Sequence, residues 1–229
     1  KEDFDRLNFN PDVVLDCSAQ TTAIDGYHNP IYDSTNNTLA VVNVLEFCRK
    51  TKAKLIYAGS STKFGDDGLG RSQSPYAWSK ATNTELVKNY GNWFGVKYAI
   101  TYFYNVYGPR EISHGKYATL IALFKGKAKN NEPLTVVSPG TQKRNFTHVE
   151  DIIKGLVLVG EKGFGDDYGI GSPKSYSVLE IANLFNMPIE MLPERSGNRM
   201  TAEVIVAKTE ELGWTPSRSI ENYILKKIS

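Results

Sequence analysis

Along this chain, short apolar runs alternate with stretches in which apolar residues recur every three or four positions. Residues 12–17 (Asp-Val-Val-Leu-Asp-Cys) form a compact apolar run and predict a buried strand. After Pro30, a stripe through Leu39, Val42, Leu45 and Cys48 has helical spacing. Residues 54–58 predict a second strand. Residues 75–90 predict a helix, with Pro75 suited to its first turn. Residues 96–106 predict a third strand, stopped by Tyr107-Gly-Pro109. Strand and helix alternating at this spacing imply a parallel α/β sheet with right-handed crossovers. Beyond Pro109 the rhythm loosens. Helices near 116–129 and from about 149, strands at 134–137 and near 168–170, a helix near 177–185 and two shorter ones after 206 predict a smaller, mixed α/β unit.

In open α/β sheets, ligands bind beyond the carboxyl ends of the strands. That rule points to Ser18-Ala19-Gln20, Gly59-Ser60-Ser61 and Tyr104-Asn105-Val106. Composition narrows the function classes. The chain has 229 residues, 41% hydrophobic and 23% charged, with a net charge of +2. Such a balance argues against a nucleic-acid partner. No apolar run approaches the ~20 residues of a membrane span, so no membrane partner is expected. Cys17 and Cys48 sit among apolar residues and read as buried thiols of a reducing, cytoplasmic compartment. His28, His114 and His148 have no metal-ligand spacing, so no metal is expected.

Tyr76 and Lys80 are four residues apart at the start of a predicted helix and share one face. A free tyrosine, with a pKa near ~10, is a poor base at neutral pH; a nearby ammonium favours its phenolate. A hydroxyl from Ser60, at the end of a neighbouring strand, completes a device for moving a proton at an alcohol. Spacing alone does not single this pair out, because Tyr223 and Lys227 repeat it in the closing helix, where they read as a solvated face. Position at the sheet edge favours Tyr76. His148 reads as a structural or helix-start residue, Trp78 and Trp93 as packing at a subunit seam, and Lys125 to Lys127 as a solvated face. The glycines of 65–70 and 163–165 read as turns, not as phosphate cradles.

Several segments together resemble the extended short-chain dehydrogenase/reductase family, and within it the NAD-dependent epimerases and dehydratases. Ser74-Pro-Tyr-Ala-Trp-Ser-Lys80 is similar to its Ser-Pro-Tyr-x-x-Ser-Lys signature, and Pro11-Asp-Val-Val-Leu-Asp-Cys-Ser-Ala-Gln20 to its fourth strand and the turn beside the cofactor. Asn37 with Asn43-Val-Leu-Glu46 matches the following helix. Tyr57-Ala-Gly-Ser-Ser-Thr-Lys-Phe-Gly65 matches the strand that carries the catalytic Ser or Thr, here Ser60. Phe103-Tyr-Asn-Val-Tyr-Gly-Pro-Arg110, Lys143-Arg-Asn-Phe-Thr-His-Val-Glu-Asp151, Arg195-Ser-Gly-Asn198 and Leu212-Gly-Trp-Thr-Pro216 match later blocks in the family's order. The resemblance implies a Rossmann-type doubly wound sheet over 1–112, with a return strand near 166–172, and a nucleotide-sugar domain mainly over 113–229. It implies catalysis by Ser60, Tyr76 and Lys80. Ser18, Ala19, Gln20, Tyr76, Lys80 and Phe103 would hold the cofactor; Ser60, Ser61, Asn105, Gly140, Arg144 and Arg195 would hold the substrate. It also implies a homodimer through helices near 30–50 and 75–95.

The chain lacks a starting Met. The resemblance implies that a strand, a glycine-rich turn and a helix for the pyrophosphate of NAD precede Lys1. Without that segment the sequence does not separate NAD from NADP. Ser60 and Tyr76 are also closer in sequence than the family usually has them; either the loop is short or part of it is absent. Ser61-Thr-Lys63 follows Ser60 where the family's 4,6-dehydratases place an Asp-Glu pair, and the acid of the decarboxylases and the Cys of the fucose-pathway enzymes are lacking too. The resemblance then implies 4-epimerisation of a nucleotide-diphosphate sugar, UDP-linked, through a transient ketone. A dehydratase or decarboxylase is the alternative, and a catalytically silent nucleotide-binding relative a third. Ala202, a small residue seven positions after Arg195, implies room for 2-acetamido sugars.

Overall fold

The computed structural model describes residues 2–21, 23–61, 72, 74–115, 117–194 and 204–228. They fall into two compact units, one from Lys1–Phe103, Lys154–Ile170 and Ile205–Trp214, the other from Tyr104–Ile153, Gly171–Val204 and Thr215–Ser229. The first is built on a four-stranded parallel sheet. Strands β1 (Val13–Asp16), β2 (Lys54–Ser60) and β3 (Tyr98–Phe103) lie side by side, and the strand Gly165–Ile170 pairs with β3. Every pairing in this sheet is parallel, as the strand–helix alternation requires.

Burial follows position in the sheet. The central strand β2 is buried from Lys54 to Ala58. Lys54 is accommodated because its ammonium donates to the carbonyls of Val159 (3.1 Å) and Gly160 (2.7 Å) and lies 4.1 Å from the Phe164 ring centroid. Gly59 is required: a Cβ there would stand 2.5 Å from the ring of Tyr102, its neighbour in β3. β1 is the outermost of the described strands, and its apolar run is only partly covered by them. It lies at the edge of this sheet, and Val13 and Leu15 are exposed. Cys17, just past its end, is exposed as well; only Cys48 is the buried thiol expected of both.

The helical stretch after Pro30 begins with Asn29, whose side chain accepts from the Tyr32 amide at 2.9 Å. It runs through Pro30–Ser34, a π-helical turn at Thr35–Leu39 and the helix Ala40–Thr51. The π turn carries more residues per turn, which rotates the following face. Val41, Val44, Leu45 and Cys48 become the buried stripe, and Leu39, expected inside, is exposed. The long helix Pro75–Phe94 starts on Ser74, whose hydroxyl accepts from Ala77 N at 3.1 Å, and ends at Gly95 in the left-handed region, φ +67°. Its buried residues are Ala77, Ser79, Lys80, Asn83, Thr84, Val87 and Tyr90, of which four of seven, Ser79, Lys80, Asn83 and Thr84, are polar. Trp78 and Trp93 are both exposed, although the Trp93 ring lies 6.3 Å from that of Tyr90 and 6.1 Å from that of Phe94.

The second unit is assembled from short pieces. Leu134–Val137 pairs in parallel with Ile189–Leu192, and Lys143–Asn145 runs antiparallel to Ser175–Ser177. A core of Tyr107, Phe124, Leu134, Phe146, Ile181, Phe185 and Ile224 holds them together with the helices Leu120–Lys129, Val178–Asn183 and Ile220–Ile228. Ser177 and Glu180 close the start of Val178–Asn183 with a capping box. Two residues read as solvated are not. Lys125 donates to the Tyr223 hydroxyl at 3.1 Å and lies 4.7 Å from that ring's centroid, and Tyr223 packs against Tyr107 and His148. His148 is buried, and its Nδ1 accepts from Glu150 N at 3.2 Å, the helix-start role expected of it.

Candidate active site

At the carboxyl ends of β1 and β2 the first unit gathers its polar side chains. Ser60 is the last residue of β2, and Tyr76 and Lys80 project from the first turns of Pro75–Phe94, which packs on that strand. Ser60 hydrogen-bonds the Tyr76 side chain. Burial pushes the Tyr76 hydroxyl above its ordinary value; the Ser60 hydrogen bond draws it back, and the Asp33 charge pushes it up again. Lys80 is 4% exposed. Burial pushes its ammonium down to about 8, against the opposing pull of Asp16 and Cys17. The ammonium lies 4.3 Å from the centroid of the Tyr57 ring. In this geometry Ser60 is a group that favours the ionised form of Tyr76.

A buried amide knits the site together. Asn37, in the π-helical turn, accepts from Gln20 N at 2.7 Å, and its amide nitrogen lies 3.1 Å from Gln20 O, 3.1 Å from Asp33 Oδ1 and 3.2 Å from Ser79 Oγ. Ser79 Oγ donates to Tyr76 O at 2.9 Å, and Asn83 Nδ2 donates to Asn37 O at 2.9 Å. One side chain thus ties the turn Ser18-Ala19-Gln20 to the helix that carries Tyr76 and Lys80. At the same turn Asp16 Oδ1 accepts from Ser18 N at 3.0 Å and Ser18 Oγ at 2.6 Å. Asn37 is legible only as part of a motif, and neither Asp33 nor Asp16 carries a sequence signal of its own. An isolated acid in an apolar run is the one available hint.

The remaining expected residues are described within their own units. Ser61 follows β2, and Phe103, half-buried, ends β3 in register with Ser60. In the second unit Asn105 adopts φ +31°, a backbone region that non-glycine residues seldom occupy, and Asn105 Nδ2 donates to Asn145 O at 3.1 Å. Gly140 has φ +75°, and a Cβ there would meet Leu179 Cγ at 2.6 Å. Arg144 lies on Lys143–Asn145, with Nη1 donating to Lys143 O at 2.8 Å. Arg195 and Ala202 lie outside the described residues, as do the glycines of 65–70.

The first unit fits a nicotinamide dinucleotide. Lys80 is a buried ammonium that lies over the face of the Tyr57 ring, and a buried ammonium calls for hydrogen-bond acceptors. The hydroxyls of a ribose are acceptors of the right kind. Among the described residues no group of three or more His, Cys, Asp or Glu could hold a metal ion, and no helix is long and apolar enough to cross a membrane.

An open parallel α/β sheet with a polar cluster at its carboxyl edge is the arrangement in which Rossmann-type folds bind a dinucleotide. The model of the NAD dependent epimerase/dehydratase family matches residues 2–171, and the chain belongs to that family. A Methanocaldococcus jannaschii protein, provisionally assigned as a UDP-glucose 4-epimerase, is 29% identical over 98% of this chain and 79% of its own length. UDP-glucuronic acid decarboxylase 1 of Arabidopsis thaliana is 23% identical over 95% of this chain; the chain spans 54% of that relative. The UDP-glucose 4-epimerase of Thermotoga maritima, solved with UDP-glucose, shares the fold at a TM-score of 0.87, 23% identity, 95% of this chain and 76% of that one.

Proposed function

We propose that the protein epimerises a nucleotide-diphosphate sugar at carbon 4 through a transient 4-keto sugar. The observation that carries this reading is the cluster of Ser60, Tyr76 and Lys80 with no carboxylate in the Ser61-Thr-Lys63 stretch that follows. The names of the M. jannaschii and T. maritima proteins support a UDP-linked sugar. NAD, when bound, supplies the place where a hydride from carbon 4 can go and from which it can return. Tyr76, as phenolate, takes the proton of the C4 hydroxyl as that C–H bond breaks, leaving a ketone, and returns it when the bond re-forms on the other face. Ser60 donates to the same oxygen and stabilises the phenolate. Lys80 holds the cofactor ribose, and Ser18, Ala19, Gln20 and Phe103 line its seat. Asn105 and Ser61 fix the sugar; Gly140, Arg144 and Arg195 hold the diphosphate, for which a guanidinium offers paired donors.

We assign the protein to the cytoplasm on its two unpaired thiols. We also assign it a homodimeric state through the helices at 30–51 and 75–94, where Ile31, Leu39 and Trp78 are exposed. Trp78→Lys should halve the mass seen by light scattering if that face is the interface; an unchanged mass removes it. The reaction is tested by incubating the complete gene product with UDP-glucose, UDP-N-acetylglucosamine and UDP-glucuronate and weighing the products. Epimerisation leaves every mass unchanged while altering chromatographic retention. Loss of water or carbon dioxide would assign a dehydratase or decarboxylase instead.

A further inference from the structure

Lys80 needs explaining, because an ammonium 4% exposed should surrender its proton unless something holds it. The candidate is Asp16. In the parallel register of β1 and β2, Asp16 stands beside Tyr57, so the two side chains leave the sheet on one face. The Lys80 ammonium lies over the Tyr57 ring on that face. Asp16 is 5% exposed. Its Oδ1 is engaged by Ser18 N and Ser18 Oγ, while its Oδ2 is buried with no hydrogen-bond partner. A carboxylate left half satisfied in this way is costly on its own, and Lys80, over the Tyr57 ring on the same face of the sheet, carries the opposite charge.

We propose that Asp16 is a positioning residue with two tasks: its Oδ1 shapes the turn at Ser18, and its charge acts through space to keep the buried Lys80 protonated. This rests on the reading of Lys80 as the residue that holds the cofactor ribose. The other groups bearing on Lys80 are few. Cys17 lies at the end of β1, Tyr57 comes from β2, and Tyr76 lies one turn back on the same helix. Asp33, from Pro30–Ser34, acts on Tyr76. As a thiol and two phenols, Cys17, Tyr57 and Tyr76 are neutral near pH 7; burial pushes the two phenols up, and at Cys17 partial desolvation of the thiol, with the Asp16 charge added to it, acts in the same direction. Asp16 is thus the acid that acts on the Lys80 charge. Burial pushes Lys80 down to about 8 even with this help, so removal of the carboxylate brings the loss of the proton into the neutral range.

Asp16→Asn separates the two tasks, because an amide oxygen can still accept from Ser18 while the charge is gone. In the complete gene product with ¹³Cε-lysine, the Lys80 resonance is identified as the one missing from Lys80→Arg. Its titration midpoint is then followed by NMR, with no substrate turnover, so the result stands whether or not the protein is an epimerase. The midpoint should fall by about one pH unit in Asp16→Asn, the smallest shift expected from removing a nearby opposite charge. NAD affinity at pH 8 should fall with it, while affinity at pH 6 stays near wild type. A midpoint that does not move overturns the proposal and leaves Asp16 a turn former only. Should Asp16→Asn fail to fold, the wild-type protein still decides. The Asp16 carboxyl carbon must show a step at the pH where Lys80 titrates, and a flat response there overturns the pairing.

Discussion

The two compact units differ in how they hold the residues expected at the site, although both bury hydrogen-bonded polar groups such as Asn37 in the first and Asp151 in the second. In the first, Asp16, Asp33, Asn37, Ser79, Lys80 and Asn83 are all at most 5% exposed, and Asn37 alone bridges two segments of chain to the helix bearing Tyr76. In the second, the residues expected to bind substrate are Asn105, which is exposed, and Arg144, which is half-buried and donates to its neighbour's carbonyl. The first arrangement is preorganised: rotamers are fixed before any ligand arrives, as proton transfer demands. In the second, these side chains lie nearer the surface, where a ligand can reach them. Substitutions in the first unit should therefore strike turnover or folding, and those in the second should strike affinity.

The largest effect belongs to Tyr76→Phe. Turnover should fall by about 10²–10⁴-fold, the range of general acid–base catalysis, while NAD affinity measured by calorimetry holds. Asn37→Ala comes next. It strands the buried Gln20 amide and breaks the link to Ser79, and urea denaturation should show a loss of roughly 2–3 kcal/mol. Arg144→Ala, in the other unit, should raise KM by about tenfold with kcat and thermal stability unchanged, the signature of lost uniform binding. A fall in kcat with constant KM would blur the division between the units.

The smallest effect concerns pH. Lys80 titrates near 8 in the folded chain against an ordinary 10.5. Below pH 8 both states hold the proton, and burying the charge costs stability. Between about 8 and 10.5 the unfolded chain binds more protons than the folded one, so this group makes stability rise with pH across that window. Lys80→Met should remove that rise, a difference on the order of 1 kcal/mol once the buried site is allowed to relax. An unchanged pH profile would show that Lys80 is better solvated than its burial implies.

What could be read in advance follows the same division. The parallel sheet, the long helix and the Tyr76–Lys80 face were legible because long regular elements print their period on the sequence. The strands Lys143–Asn145, Ser175–Ser177 and Ile189–Leu192 were not, since three or four residues are too few to show an alternation. Leu39 was misplaced by the π-helical turn, which breaks the 3.6-residue rule locally. Asp16 and Asp33 escaped notice because a local hydrogen bond, from Ser18 and from Asn37, leaves no periodic mark on the sequence.

The central claim is inversion at carbon 4, and proton NMR reads it directly. The complete gene product is incubated with NAD and with UDP-glucose, UDP-N-acetylglucosamine or UDP-glucuronate, and the anomeric region is followed. A new galacto-configured anomeric signal growing to equilibrium in at least one incubation, and failing to appear with Tyr76→Phe, is the predicted result. A spectrum that stays unchanged for all three sugars, with NAD bound and the protein folded, would contradict 4-epimerisation of these substrates while leaving the fold and family in place.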